Sequence, residues 1–172
     1  ALRRHYPDAH LTYLVEPSAA PVIRGNPHLN DLIVAPKAHG LRRLRGDFAL
    51  GLELKRRQFD LAIDLHGGPR SAWLTFASRA PMRIGYNIAG RSWMYTHVVP
   101  RAADLAPRHS VVSQWDLLAP LGVGACDPER DSVEMAADPA AESRVADRLR
   151  HAGIDPGAPL VVIHLSAGNP FR

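Results

Sequence analysis

The stretch 60-DLAIDLHGGPRSAWL-74 decides the fold. Its opening, DLAIDLH, is a short apolar run and reads as a strand. Gly67-Gly68-Pro69 turns the chain, and a helix is expected from about Arg70 to Ser78. In an open α/β sheet, ligands gather where strands end at their carboxyl edge. Asp64 and His66 stand at that edge, and Gly67 and Gly68 let a ligand come close to the backbone. The helix start near Arg70 and Ser71 offers N–H groups and a positive dipole to an anion. A plain turn, with His66 capping or packing, fits the same residues, so both readings stay open here.

Outward from this unit, strand-like and helix-like segments alternate. Upstream, LTYLVE (11–16) and DLIVAP (31–36) read as strands, with a short helix in 18–27 stopped by Gly25-Asn26-Pro27. Residues 39–58 read as a helix, with Leu41, Leu44, Phe48 and Leu52 at helical spacing as its expected buried stripe. Arg42, Arg43, Arg45, Lys55, Arg56 and Arg57 take its other faces. Downstream, MRIGY (82–86) and YTHVVP (95–100) read as strands, and RHSVVSQWDLLAPLG (108–122) as a helix closed by Gly122. SVEM (132–135) reads as extended, and 139–153 as a helix with Val145 and Leu149 inward. LVVIHL (160–165) reads as a last strand. This alternation predicts an α/β domain with a parallel sheet covered on both faces. Segments 123–138 and 155–159 are the candidate hinges.

The chain has 172 residues, 46% of them apolar, enough for an ordinary core. Its net charge of +4 comes from 21 Lys and Arg against 17 Asp and Glu. Nearly all the cations are Arg, which favours bidentate contact with phosphate or carboxylate. Cys126 is the only cysteine, so a disulfide framework within the chain is excluded and a reduced, cytoplasmic setting is expected. No apolar run approaches the roughly 18 residues of a spanning helix, and no signal-peptide pattern opens the chain.

Other stretches carry chemistry in principle. In IHLSAGNPFR (163–172), Ser166, Gly168 and Asn169 present hydroxyl and backbone N–H groups suited to phosphate, and Arg172 a charge. An ordinary strand-to-helix loop fits them as well. The basic helix 39–58 reads either as a solvated face or as contact with an acidic acceptor or anionic lipid. His109 reads as a helix cap. His10, His28, His39 and His97 share no ligand spacing, so no metal site is expected. Trp73, Trp93 and Trp115 read as core or interdomain aromatics. Basic residues are not interleaved with aromatics, which argues against nucleic acid.

Four stretches in order resemble the ADP-heptose:lipopolysaccharide heptosyltransferases, glycosyltransferase family 9. They are ALRRHYPDAHLTYLVEPSAAPVIRGNPHLNDLIVAP, FDLAIDLHGGPRSAWLTFASRAPMRIGY, RHSVVSQWDLLAPLG and LVVIHLSAGNPFR. The resemblance implies a GT-B enzyme with two Rossmann-like domains facing a cleft, the first receiving a lipid acceptor and the second a nucleotide-sugar. Residues 1–155 then correspond to the N-terminal acceptor-side domain without its first strand, and 156–172 to the beginning of the donor domain. It further implies inverting, metal-independent sugar transfer from an ADP-sugar, with no cofactor. His66, Gly67, Gly68, Arg70 and Ser71 match the acceptor-side loop. Ser166, Ala167, Gly168, Asn169 and Arg172 match the donor-diphosphate loop, Ala167 through its backbone alone. The family's base is an aspartate in a loop ahead of the helix whose tail matches ALRRHYP, so Asp64 is not assigned that role. The expected partners are a nucleotide-sugar and the anionic lipopolysaccharide core, with peripheral contact at the inner membrane. On this reading the chain is an inactive fragment; a non-catalytic Rossmann-like binding module and a UDP-sugar enzyme of the same fold are the rivals.

Overall fold

The structure is a computed structural model, and it describes residues 1–36, 40–101, 109–127, 129–131 and 134–163. The chain divides into two compact units, Ala1–Met135 and Ala136–Arg172.

The first unit alternates helices and parallel strands. In chain order it holds α1 (Leu2–His5), β1 (Thr12–Val15), α2 (Ala20–Ile23), β2 (Asp31–Val34), α3 (Gly40–Arg56) and β3 (Leu61–Ile63). Then come α4 (Pro69–Ala77), β4 (Met82–Tyr86), a 3₁₀ turn at Ser92–Met94, β5 (His97–Val99) and α5 (Ser110–Trp115). β1 pairs with β2, Thr12 facing Asp31 and Val15 facing Val34. β4 lies between β3 and β5, with Ile84 facing Ile63 on one side and His97 on the other. All three described pairings are parallel, and they form two separate ladders, β1-β2 and β3-β4-β5. A cavity of about 290 Å³ is lined by His10, Thr12, Arg57 and Phe59, residues that lead into β1 and β3.

Parallel strands bury both faces, and each ladder has its own apolar cluster. Ile33, Ala35, Leu50, Leu54 and Leu74 pack together, with Leu14, Phe59 and Trp73 against them. Ile84, Tyr86, Val99 and Leu117 form the second cluster. α3 meets α4 closely because Gly51 has no side chain: a Cβ there would lie 2.9 Å from Trp73 Cη2 and 3.1 Å from Ala77 Cβ.

That contact reverses one expectation. Leu41, Leu44, Phe48 and Leu52 are exposed (75, 65, 61 and 39%), while Leu50, Gly51 and Leu54 are buried. α3 carries two apolar sets, and the one containing the small glycine is the one that can approach α4. The helix expected over 108–122 is also two pieces. α5 gives way to a 3₁₀ helix at Asp116–Leu121, because Pro120 has no N–H to continue an α-helical ladder. Gly122 closes it with φ +72°. His109 caps α5, its Nδ1 accepting from Val111 N–H at 3.3 Å. Trp73 packs at the first cluster's edge, but Trp93 is exposed and stacks edge-on with Phe76, ring centres 5.3 Å apart.

In the second unit, α6 (Pro139–His151) begins at Asp138, whose Oδ1 accepts from Ala140 N–H at 3.0 Å. Val145 is exposed, and Leu149 is half-buried, so the expected inward stripe is not formed by both. Leu160, Val161, Val162 and Ile163 form no strand and are exposed. An apolar run becomes a strand only with a ladder partner, and these four have none among the described residues. The rest of that reading, His164 and Leu165, lies outside the described residues, as do Ser132 and Val133.

Candidate functional site

The site candidate is built where β3 gives way to α4. Asp64 follows the strand and is buried, at 4% exposure. Its N–H extends the ladder by donating to the Ile84 carbonyl at 2.9 Å. Its carboxylate organises the turn: Oδ1 accepts from the N–H groups of His66 and Gly67, both at 2.9 Å. Oδ2 accepts from the Tyr95 hydroxyl at 2.7 Å. Tyr95 reaches Asp64 across β4 because Gly85 leaves room; a Cβ at position 85 would lie 2.3 Å from the Tyr95 ring. Burial, then the Asp64 carboxylate, pushes the Tyr95 hydroxyl well above its ordinary pKa. With both oxygens held and little solvent access, Asp64 is a loop-former and not a base waiting for a substrate.

The two glycines differ in role. Gly67 is left-handed (φ +70°), and a Cβ there would meet Ile88 Cδ1 at 2.7 Å. Gly68 is extended and precedes Pro69 at the helix start, giving no side-chain cap. A Cβ on Gly68 would stand 2.7 Å from His66 Cδ2 and 3.0 Å from Nε2, so the exposed imidazole lies against the bare glycine. Ser71 Oγ donates to the Gly68 carbonyl at 3.1 Å. The first turn of α4 thus presents backbone N–H groups and the positive helix end beside an exposed histidine, an arrangement suited to hydroxyl and anionic groups.

Arg70 faces the other way. Its Nε and Nη2 donate to Asp47 Oδ1 at 2.9 and 2.7 Å, and Nη2 also donates to the Pro36 carbonyl at 3.2 Å. Nη1 pairs with Glu16. Glu16 and Pro36 lie just after β1 and β2, and Asp47 lies on α3. Arg70 is therefore a clamp tying the start of α4 to two strand ends and a helix. Sequence reasoning missed Glu16 and Asp47, since no spacing rule links residues so far apart. It missed Tyr95 too, although a glycine inside MRIGY signals a close approach to the strand.

His66, Gly67 and Gly68 thus form the loop at the carboxyl edge of the sheet, and Arg70 and Ser71 stand in the first turn of α4 that follows it. The second expected group, Ser166, Ala167, Gly168, Asn169 and Arg172, lies outside the described residues.

Comparison with known proteins agrees with this architecture. Residues 48–170 match the sequence profile of glycosyltransferase family 9 (heptosyltransferase). The chain is 30% identical, over 179 aligned residues, to lipopolysaccharide heptosyltransferase 3 of Escherichia coli, an alignment covering 100% of this chain and 50% of that protein. It is 31% identical over 85 residues to lipooligosaccharide heptosyltransferase 2 of Haemophilus ducreyi, covering 49% of this chain and 24% of the relative. Among solved structures, a family 9 glycosyl transferase from Veillonella parvula superposes with TM-score 0.83 at 20% identity, over 98% of this chain and 48% of that one. The E. coli ADP-heptose lipopolysaccharide heptosyltransferase II gives 0.62 at 16% identity, over 92% and 46%. These two establish the fold. The chain spans no more than half the length of any of these proteins. With the family profile matched over most of its residues, the chain belongs to glycosyltransferase family 9, the heptosyltransferases.

Proposed function

We propose that a protein carrying this chain transfers a heptose, or a related sugar, from an ADP-sugar to the inner core of lipopolysaccharide. The observation that carries the reading is full-length alignment of the chain with a lipopolysaccharide heptosyltransferase at 30% identity. On this reading residues 1–155 form the acceptor-side domain and 156–172 open the donor domain. His66, Gly67, Gly68 and Ser71 face the acceptor, Arg70 holds the start of α4 in place, and Ser166, Ala167, Gly168, Asn169 and Arg172 receive the donor diphosphate. A carboxylate takes the acceptor hydroxyl's proton, the oxygen attacks the anomeric carbon, and the glycosidic bond to ADP breaks with inversion. Backbone and basic donors offset the charge growing on ADP, so neither metal nor cofactor is required. Asp64 is unsuited to be that carboxylate, for both its oxygens are held in the loop. On this reading the base is an aspartate other than Asp64, and the 172 residues, which span half of their E. coli relative, transfer no sugar alone.

The test is nucleotide release from ADP-heptose, with a UDP-sugar as competitor donor and a heptose-deficient core as acceptor. A protein carrying this chain together with a donor-holding domain is expected to release ADP and extend the acceptor with inverted anomeric configuration. The isolated chain is expected to release none. Preference for the UDP-sugar, or turnover by the chain alone, contradicts the proposal.

A further inference from the structure

We propose that Trp93 and Arg79 form a second acceptor subsite, where the indole stacks on a sugar ring remote from the reacting hydroxyl and the guanidinium pairs with an anionic group of the same sugar chain. The inference rests on the proposed transfer to the lipopolysaccharide core and names where the rest of that oligosaccharide is held.

The segment after β4 runs beside α4, from the candidate site to this pair. At its start, Ile88 Cδ1 lies 2.7 Å from where a Gly67 Cβ would be. At its end, the Trp93 and Phe76 rings meet edge-on, with centres 5.3 Å apart. At 1.5 Å per residue, Phe76 stands about 10 Å along α4 from Pro69. A chain of several sugars spans that length, and a single sugar does not.

The far end is a fixed platform. Trp93 is 64% exposed, yet its Nε1–H donates to the Gly90 carbonyl at 3.1 Å and its ring rests against Phe76. An indole that is both held and open to water is a ready contact surface, because a ligand stacking on it orders little else. The C–H face of a sugar ring suits the electron-rich face of the indole.

The charges select the partner. Arg79 follows α4 with φ +60°, the left-handed conformation that usually falls to glycine after a helix, and its guanidinium lies 4.7 Å from the Phe76 ring centre. Arg83 is anchored by the Met94 and Ala80 carbonyls at 2.9 and 2.6 Å and lies 5.8 Å from the same centre. Between the two ends, Arg91 buries its Nε without a hydrogen-bond partner. None of these three arginines pairs with a carboxylate among the described residues, whereas Arg57 and Arg70 do. The track from Gly67 to Trp93 is therefore cationic, with guanidinium donors free for the anionic groups of the core.

The experiment is calorimetric titration, without sugar donor, of a protein carrying this chain together with a donor-holding domain. The probes are the deacylated, heptose-deficient core oligosaccharide and its terminal sugar alone. The wild type is expected to bind the oligosaccharide at least about tenfold more tightly than the single sugar. Trp93→Ala should weaken oligosaccharide binding about tenfold and leave the single sugar unaffected, with Trp93→Phe retaining most of the affinity. Arg79→Gln should weaken it about fivefold and flatten its salt dependence. Both side chains are exposed, so unchanged circular dichroism and melting should accompany these losses. Equal wild-type affinity for the two probes, binding of neither, or Trp93→Ala binding as tight as the wild type overturns the proposal. So does an equal loss on both probes, which would make Trp93 a support of the loop. Loss of self-association alone overturns it too, by assigning the platform to a second copy. A wild type that binds the oligosaccharide but transfers no heptose to it leaves the subsite standing and sinks the proposed transfer.

Discussion

Tyr95 secures the loop before α4 from a strand away. Replacing it with phenylalanine keeps the ring over Gly85 but leaves Asp64 Oδ2 without its donor in a buried place. The expected cost is about 1–3 kcal/mol in urea denaturation. The pH dependence has a definite sign. The folded state raises the Tyr95 pKa, so it favours the protonated hydroxyl. That contribution is complete below about pH 10, the unfolded value, and is lost as pH rises through the folded one. Tyr13 is also raised, by burial, so the wild type keeps an alkaline decline from both. Tyr95→Phe should remove the Tyr95 share of it, and parallel alkaline slopes in the two proteins would contradict this. At this scale the sequence showed Asp64, His66, Gly67 and Gly68 as one loop because they are contiguous. Tyr95, Glu16 and Asp47 were hidden because hydrogen bonds between distant residues leave no periodicity.

At the scale of elements, strands and helices were legible where apolar runs and Gly or Pro punctuation coincide. β1, β2, β4 and α3 all fall inside the expected segments. The facing of α3 was not legible. Spacing finds an apolar stripe but cannot rank two stripes on one helix, and here Gly51 decides by allowing contact with Trp73. Leu54→Ala should therefore cost about 2–5 kcal/mol, whereas Leu44→Ala should change stability by no more than about 0.5 kcal/mol. Comparable losses in urea denaturation would mean that both faces are packed. The strand expected over 160–165 shows the complementary lesson, since the described Leu160–Ile163 form none: a run such as LVVI encodes β-propensity but not the partner that makes a strand.

At the scale of the molecule, order and spacing of the four stretches identified the family, and the parallel α/β fold agrees with the family's solved structures. The central claim is that the His66–Ser71 loop serves the acceptor side of a sugar transfer. Gly68→Ala tests it most directly, in a protein carrying this chain together with the donor-holding domain. The new methyl would stand 2.7 Å from His66 Cδ2. The exposed imidazole can swing away while the extended backbone at Gly68 accepts alanine. Stability should hold. Steady-state kinetics should then show kcat/KM for the acceptor falling roughly a hundredfold, with KM for the nucleotide-sugar unchanged. A fall in donor affinity with acceptor kinetics intact would contradict the account.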